Sequence, residues 1–599
     1  MKPTSEILER MKNNSETHKD GIYTRLYRYL LREDIYFTAY EKLYSNKGAG
    51  TQGIDNDTAD GFGDGYVHKL IEELKNLTYE PKPVKRVYIP KRNGKKRPLG
   101  IPSFRDKLVQ EAIRQILEAI YEPIFSTHSH GFRPNRSCHT ALKEVGNNFR
   151  GTIWFIEGDI KRCFDNIDHS ILLKLLSEKI KDSKFINLIR KFLRAGYMED
   201  WKYHRTYSGT PQGGILSPIL ANIYLHELDK KVDAMREKFN APAKSGRTTV
   251  YRRKEYEIRK LKKMYGKTEN KAERKALLRQ MQALKLELRK LPSKDASDKK
   301  IACVRYADDF IIGINGTKEE AEAIKHELTE FAAEVLKLEL SDEKTKISHT
   351  TEKAKFLGYD IMVRRNPTTK KLKNGAVKRT LNYSVDLAIP LDKIEKFLFE
   401  QKAVMQSEEG RLVPTYRDCL IDSTDLEIVD TYNAQTRGIC NYYNLASNFS
   451  KLVYFTYLME YSCLKTLAKK HKTHISDVIR NYRVGKKWGI PYRTNNGMRK
   501  RMIVRLNDIK RGDVFTNAVI DKIQDRNHHL SKNSLDKRLK AQKCELCGIE
   551  GDNITFEIHH INKLKNLKGK TPCEKAMIAK KRKTLVVCHK CHLKIHHSS

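Results

Sequence analysis

Short apolar runs punctuate the chain, and the most informative ones flank acids. Ile153-Trp154-Phe155-Ile156-Glu157-Gly158-Asp159-Ile160 reads as a strand ending at an aspartate. Ile301 to Val304 and Phe310 to Ile312 lie on either side of Tyr306-Ala307-Asp308-Asp309, the pattern of a β-hairpin with carboxylates at its tip. Adjacent aspartates repel each other and lose solvation if buried, and a divalent cation relieves both problems. A bare Asp-Asp would be read as a solvated turn. If the two strands pair, however, Asp159, Asp308 and Asp309 meet at one edge of a sheet. Three carboxylates there suit two Mg²⁺ ions, which activate an attacking hydroxyl and stabilise a leaving pyrophosphate.

Other periodicities predict the frame around this edge. Residues 1–80 are polar and mostly helical in pattern, interrupted by the glycine-rich loop Ser45 to Asp55. Val84 to Pro102 alternates, turns at Asn93-Gly94 and alternates again, a hairpin whose tip carries five cations in seven residues. Helices are expected over 104–122, over Ile219–Leu228 after the Gly-rich turn Thr210 to Ser217, and over Ala321–Leu338. Apolar residues at three- and four-residue steps (Leu277, Met281, Leu284, Leu288, Leu291) predict a charged helical insertion or hairpin within 230–295. From about 388 to 480 the pattern is helical, with Asp425–Asn444 and Leu452–His471 as single helices. Residues 485–540 are basic and without clear periodicity.

Composition adds the partner. The 116 Lys+Arg against 74 Asp+Glu give a formal net charge of +42, which calls for a polyanion, most simply nucleic acid. No apolar run approaches a membrane span, so no membrane partner is expected. Met1 to Glu6 lacks signal- or transit-peptide character, which favours a bacterial cytoplasm. Of eleven cysteines, six are scattered through residues 1–540 and read as reduced core thiols, and five fall in the last 56 residues. Cys544-x₂-Cys547 and Cys588-x₂-Cys591 are the pattern of a structural four-cysteine Zn²⁺ site. Interleaved are Glu557-Ile558-His559-His560 and His592-Leu593-Lys594-Ile595-His596, an H-N-H nuclease pattern. His592 and His596 lie one helical turn apart. With His559 they are candidates to hold one catalytic divalent ion, leaving His560 to deprotonate water. Thr584 stands where the middle Asn of that pattern would fall.

Asp159 with Phe164, then Thr210-Pro211-Gln212-Gly213-Gly214, then Tyr306-Ala307-Asp308-Asp309 follow one another as in reverse transcriptases. Arg437 to Tyr443 and Tyr457 to His471 resemble the maturase segments of group II intron-encoded proteins, and the resemblance runs over nearly the whole chain. It implies an α/β multidomain protein: a right-hand polymerase (fingers and palm with antiparallel sheet) over 1–385, a helical thumb or maturase domain over 386–485, a DNA-binding region over 486–540 and a small zinc-stabilised ββα-metal H-N-H nuclease over 541–599. It also implies site roles. Asp159, Asp308 and Asp309, with the adjoining Ile160, would hold the two Mg²⁺. Lys91, Arg97 and Gln212 would contact the deoxynucleoside triphosphate, and Phe164 would gate its sugar. Lys344 would protonate pyrophosphate, and the Gly131-Phe132-Arg133-Pro134 loop would contact phosphate. Arg437, Tyr442, Tyr443, Lys465, Lys469 and Lys470 would bind RNA. The expected partners are the intron's own RNA, a double-stranded DNA target and deoxynucleotides, with a homodimer on the RNA left open. The other readings are a splicing maturase with vestigial polymerase and nuclease, and a stand-alone reverse transcriptase. The intact aspartates oppose the former; the maturase segments and the H-N-H tail oppose the latter.

Overall fold

A four-stranded antiparallel sheet divides the hydrophobic interior in two. Its order is Lys300–Tyr306, Asp309–Asn315, Trp154–Asp159, Lys346–His349. Side chains alternate across the pleat. Ile156, Ile301, Cys303, Phe310, Ile312 and Ile314 enter one core, and Phe155, Ala302, Val304 and Ile311 enter the other. The computed structural model describes residues 2–44, 51–55, 57–90, 96–199, 202–206, 208–210, 213–240, 248–291, 299–343, 345–366, 369–371, 377–379, 382–494, 497–521, 538–539, 541–551, 554–561, 564, 567, 569–580 and 582–597. Lys91, Gln212, Lys344, Ser45 to Gly50 and most of 522–540 lie outside those residues.

The first core joins the sheet to the helices Glu33–Tyr44, Phe104–Tyr121 and Ser217–Phe239, and continues into the C-terminal module through Cys544, Phe556, Ile558 and Met577. The second joins it to Cys138–Asn148 and to the helices Asp425–Tyr442 and Leu452–His471. Asp425–Tyr442 starts at a capping box between Thr424 and Glu427. The basic hairpin forms as Val84–Pro90 against Lys96–Ile101 and is extended by Tyr197–Glu199 and Lys202–His204. The charged insertion is a helical hairpin, Thr249–Lys267 and Lys271–Lys290.

Several elements depart from the periodicity. The helix expected over Ala321–Leu338 runs Lys318–Glu334, because Lys337 adopts a left-handed φ of 51° that an α-helix does not contain. Val404–Gln406 pairs with Leu412–Pro414 inside the stretch expected to be wholly helical, about a turn at Gly410 with φ 78°. Arg483–Val484, Lys487–Thr494 and Gly497–Met502 form a sheet where no period was visible. Its buried positions are few, Trp488 and Ile490 among them, and cations fill the outward ones. Val385–Ala388 pairs with Tyr359–Val363, so a strand straddles the boundary expected at 385/386.

The central sheet is tied to the Ser217–Phe239 helix by a buried ion pair. Arg305 and Asp229 meet in a two-pronged contact, Nε to Oδ1 at 2.7 Å and Nη2 to Oδ2 at 2.6 Å, with both side chains buried. Arg305→Ala would strand the Asp229 carboxylate in a low-dielectric interior. We expect a loss of about 3–5 kcal/mol in unfolding free energy, read by denaturant titration. An unchanged midpoint would contradict this.

Candidate active sites

Asp159 and Asp309 are cross-strand partners, and Tyr306 pairs with Asp309, which leaves Ala307 and Asp308 as a two-residue turn. Ala307 has φ 56°, a conformation an L-residue adopts only under constraint. The constraint is visible. Arg305 Nη1 donates to the Ala307 carbonyl at 2.8 Å, and Ile160 N donates to the Asp308 carbonyl at 3.3 Å. The 128–131 segment runs beside the hairpin, with His130 N on Arg305 O and Arg305 N on His128 O, each 2.9 Å. Gly131 lies so close that a Cβ there would come within 2.4 Å of Ala307 N. The turn is therefore over-determined, and all three aspartates are half-buried at its edge. Gly131→Ala must push this turn aside, at a cost of about 1–3 kcal/mol. We expect it to impair DNA synthesis more than thermal stability, measured as primer extension beside a melt; full extension would contradict the bracing role.

The nucleotide-site candidates are distributed as follows. Arg97 is exposed on Lys96–Ile101 opposite Ile89. Phe164 follows Asp159 on the short helix Cys163–Asn166 and meets the half-exposed Phe132 edge-on at 6.1 Å. Gly213, at φ 106°, lets its loop come within 2.6 Å (from a notional Cβ) of the Gly100 carbonyl, which brings the Gly-rich turn to the basic hairpin. Within the loop expected to contact phosphate, Arg133 faces inward and Arg136 is partly exposed. The Arg133 guanidinium is buried, paired with Glu122 at 2.9 Å and donating to the Ser126 and Ser129 carbonyls, so it braces the loop from inside.

The RNA candidates divide. Lys469 is exposed, its ammonium 5.2 Å from the Tyr416 ring centre, and Arg437 is partly exposed. Lys465 donates to the Pro414 carbonyl at 2.8 Å, and Lys470 pairs with Asp425 at 2.6 Å. Tyr442 and Tyr443 donate to the Leu357 and Gly358 carbonyls at 2.8 and 3.3 Å. Tyr443, expected to bind RNA, is buried and its hydroxyl clamps the Phe356-Leu357-Gly358-Tyr359 turn. A contact that the sequence did not signal joins the Tyr306 hydroxyl to Asp521, whose other oxygen accepts from Cys138 N at 2.8 Å.

In the C-terminal module, Cys544, Cys547, Cys588 and Cys591 bring their sulfurs within 4.8 Å of one another. Zn–S bonds of about 2.3 Å in a tetrahedron separate sulfurs by about 3.8 Å, and Cys547 Sγ lies 3.8 Å from Cys588 Sγ. The four-cysteine group fits zinc. Burial pushes the Cys544 thiol up, but backbone N–H groups, first that of Cys547, outweigh it and bring the pKa down to about 7. Stripping zinc with a chelator, removing the chelator and restoring Mg²⁺ is expected to leave this module unfolded while the polymerase core keeps its primer extension, monitored by proteolysis of the full chain. Loss of both activities together would contradict that separation.

The second strand of this module, Thr584–Cys588, pairs with Phe556–His560 in a register that sets Thr584 opposite His560. The helix His589–His597 follows. Donor atoms of His559, His592 and His596 converge within 4.8 Å, together with Asp60 from the N-terminal region. Burial pushes the His560 imidazole down to about 4, so it is neutral near pH 7, and its Nε2 has no hydrogen-bond partner among the described residues. Glu557 receives both His589 Nδ1 at 2.7 Å and His592 Nδ1 at 2.5 Å. His592 is raised to about 9; burial opposes this, and the Asp60 and Glu557 carboxylates outweigh it.

Comparison with known proteins fits these two centres. Residues 89–244 and 277–361 match the family described as reverse transcriptase (RNA-dependent DNA polymerase), 382–537 the type II intron maturase family, and 544–592 the AI2M/AI1M-like HNH endonuclease family. The chain is 54% identical, over all of both chains, to the group II intron-encoded protein LtrA of Lactococcus lactis subsp. cremoris. The chain belongs to the group II intron-encoded proteins. It is similar to an uncharacterised 91 kDa protein in the cob intron of Schizosaccharomyces pombe (36%, 98% of this chain, 72% of that one) and to a putative COX1/OXI3 intron 2 protein of Saccharomyces cerevisiae (34%, 99% and 68%). As a group II intron-encoded protein it is multifunctional, with reverse transcriptase, maturase and HNH endonuclease regions, and it is an enzyme on both counts. The reverse transcriptase fold is built on antiparallel sheets and helices. Among the described residues no helix is long and apolar enough to cross a membrane.

Proposed function

We propose that the protein binds its own intron RNA to promote splicing, nicks a double-stranded DNA target, and copies the RNA into DNA from the nicked 3′ end. The observation that carries this reading is the presence, in one chain, of an aspartate edge held by register (Asp159, Asp308, Asp309) and a histidine cluster beside a zinc-type cysteine group. The arrangement is a right hand: fingers and palm over 1–385, a thumb or maturase domain over 386–485, a DNA-binding region over 486–540 and a ββα-metal nuclease over 541–599.

In the polymerase site, hard carboxylate oxygens at a half-buried edge suit Mg²⁺. Asp159, Asp308 and Asp309, with the Ile160 backbone, would hold two such ions, which lower the pKa of the attacking hydroxyl and neutralise pyrophosphate when bound. Arg97 and Lys91 grip the triphosphate, Gln212 contacts the nucleotide, Phe164 excludes a 2′-hydroxyl, and Lys344 gives a proton to the leaving group. Tyr442 and Tyr443 hold the Phe356-Leu357-Gly358-Tyr359 turn. In the nuclease, His559, His592 and His596 would hold one Mg²⁺, and His560 takes the proton from water. Exposed Lys469 and partly exposed Arg437 contact RNA, and a homodimer assembles on it when two chains share one intron.

The test is a coupled assay: purified protein with its intron RNA, duplex DNA carrying the insertion junction, Mg²⁺ and labelled deoxynucleotides. The expected outcome is a nick in one strand and label extending from that nick. Label incorporated only at unrelated ends would overturn the coupled reading in favour of a stand-alone polymerase.

A further inference from the structure

Asp60 lies in the N-terminal region, yet its carboxylate sits inside the histidine cluster of the C-terminal nuclease. Oδ1 is 3.1 Å from His559 Nδ1 and 3.1 Å from His592 Nε2, and Oδ2 is 2.9 Å from His596 Nε2. His592 Nε2 and His596 Nε2 are 3.3 Å apart. Ligands on adjacent octahedral positions at about 2.1 Å from a common ion lie about 3.0 Å from each other. These four distances are close to that spacing, and all four ligand atoms lie within 4.8 Å of one another. His559 Nδ1 is buried, with Asp60 Oδ1 facing it at 3.1 Å.

The backbone delivers Asp60 to this place by design of the local sequence. Phe62–Gly63 adds as a third strand to the nuclease sheet, pairing Phe62 with Ile558 and Gly63 with Glu557. Gly61 N donates to the Ile558 carbonyl at 3.0 Å. A Cβ on Gly63 would come within 2.4 Å of the Phe556 carbonyl, so glycine is needed for the approach. His560 N donates to Asp60 Oδ1 at 2.7 Å, fixing the carboxylate. Phe62 is buried and stacks on Tyr40 at 4.1 Å, which anchors the strand in the N-terminal core.

Resting on the nuclease assignment above, we propose that Asp60 is the fourth side-chain ligand of the nuclease cation, supplied across the molecule by the reverse transcriptase end of the chain. The chemistry favours it. Three neutral imidazoles alone form a donor set suited to zinc, copper or nickel, whereas a carboxylate oxygen adds negative charge and hard character that suit Mg²⁺ or Mn²⁺. Asp60 thus sets which ion the nuclease prefers. It also makes the nuclease complete only when the N-terminal strand is docked.

The experiment measures Mn²⁺ binding by electron paramagnetic resonance in the full-length chain. An Asp308→Ala/Asp309→Ala background removes carboxylates that would bind Mn²⁺ elsewhere. Adding Asp60→Ala is expected to weaken the remaining site at least about tenfold, since even the partners of metal ligands are worth that much. Asp60→Asn keeps an acceptor for His560 N and hence the docked strand, and should weaken Mn²⁺ similarly while the melt is unchanged. Affinity unchanged in both variants would overturn the proposal. So would tighter binding or faster nicking in the Asp60 variants with the polymerase aspartates intact, which would make Asp60 a plug that competes with DNA. His559→Ala separates the two levels. If it too leaves Mn²⁺ binding unchanged, the nuclease cation site itself is wrong; if it abolishes binding while Asp60→Asn does not, only the role of Asp60 fails.

Discussion

Asp308→Ala is expected to abolish RNA-templated DNA synthesis while leaving splicing assistance largely intact. Asp308 occupies the second position of the turn that Ala307 opens, beside the cross-strand pair Asp159 and Asp309. Removing one carboxylate of three takes a unit of negative charge from an edge whose task is to gather divalent cations. A loss of about 4 kcal/mol in transition-state stabilisation corresponds to about a thousandfold in rate. The substitution should spare the fold, because the turn is held by backbone contacts: the Ala307 carbonyl on Arg305 and the Asp308 carbonyl on Ile160 N. The helices Asp425–Tyr442 and Leu452–His471 pack in the second core, to which Asp308 does not contribute. Primer extension on an RNA template, run beside an intron-splicing assay, reads both. Equal loss of the two would sink the separable-activities view.

The aspartate edge was legible because short continuous apolar runs flank the acids, and strand pairing then allows few registers. The helix Leu452–His471 was legible to the residue for a similar reason: its apolar spacing is long and unbroken. Tyrosines among lysines were harder. The same spacing serves RNA contact or packing, and burial decides between them. Tyr442 and Tyr443 meet a turn 85 residues away, which no local pattern encodes. Asp60 is the extreme case. It lies 500 residues from the His560 amide it accepts from, in the turn before a two-residue strand, Phe62–Gly63, that has no period to read. The glycines on either side of Phe62 were the available signal, since paired glycines in a strand mark close backbone approach. The sheet over 483–502 was hidden for the opposite reason: a basic surface masks the spacing of Trp488 and Ile490.

The second large effect is expected at His560. His560→Ala should slow DNA nicking by about 10²–10⁴-fold, the usual worth of a general base, and leave primer extension on a pre-nicked substrate unchanged. The imidazole is suited to the task, since burial keeps it neutral and its Nε2 is without a hydrogen-bond partner among the described residues. Its orientation depends on the facing strand, where Thr584 replaces the asparagine of the H-N-H pattern. Thr584 is itself held: Arg538 Nη1 donates to its hydroxyl at 3.1 Å and Nη2 to its carbonyl at 3.0 Å. Arg538 is in turn paired with Glu545, which accepts from Val586 N at 2.8 Å. The strand opposite His560 is thus fixed by an arginine–glutamate frame in place of an asparagine amide. On this view Thr584→Ala weakens nicking far less than His560→Ala, because the carbonyl contact to Arg538 remains. A gel assay of single-strand cleavage with matched zinc content distinguishes the two variants. If His560→Ala nicks within about tenfold of the parent, a general base of the stated worth is not at this position. If Thr584→Ala is as damaging as His560→Ala, the hydroxyl itself, and not the frame behind it, positions the base.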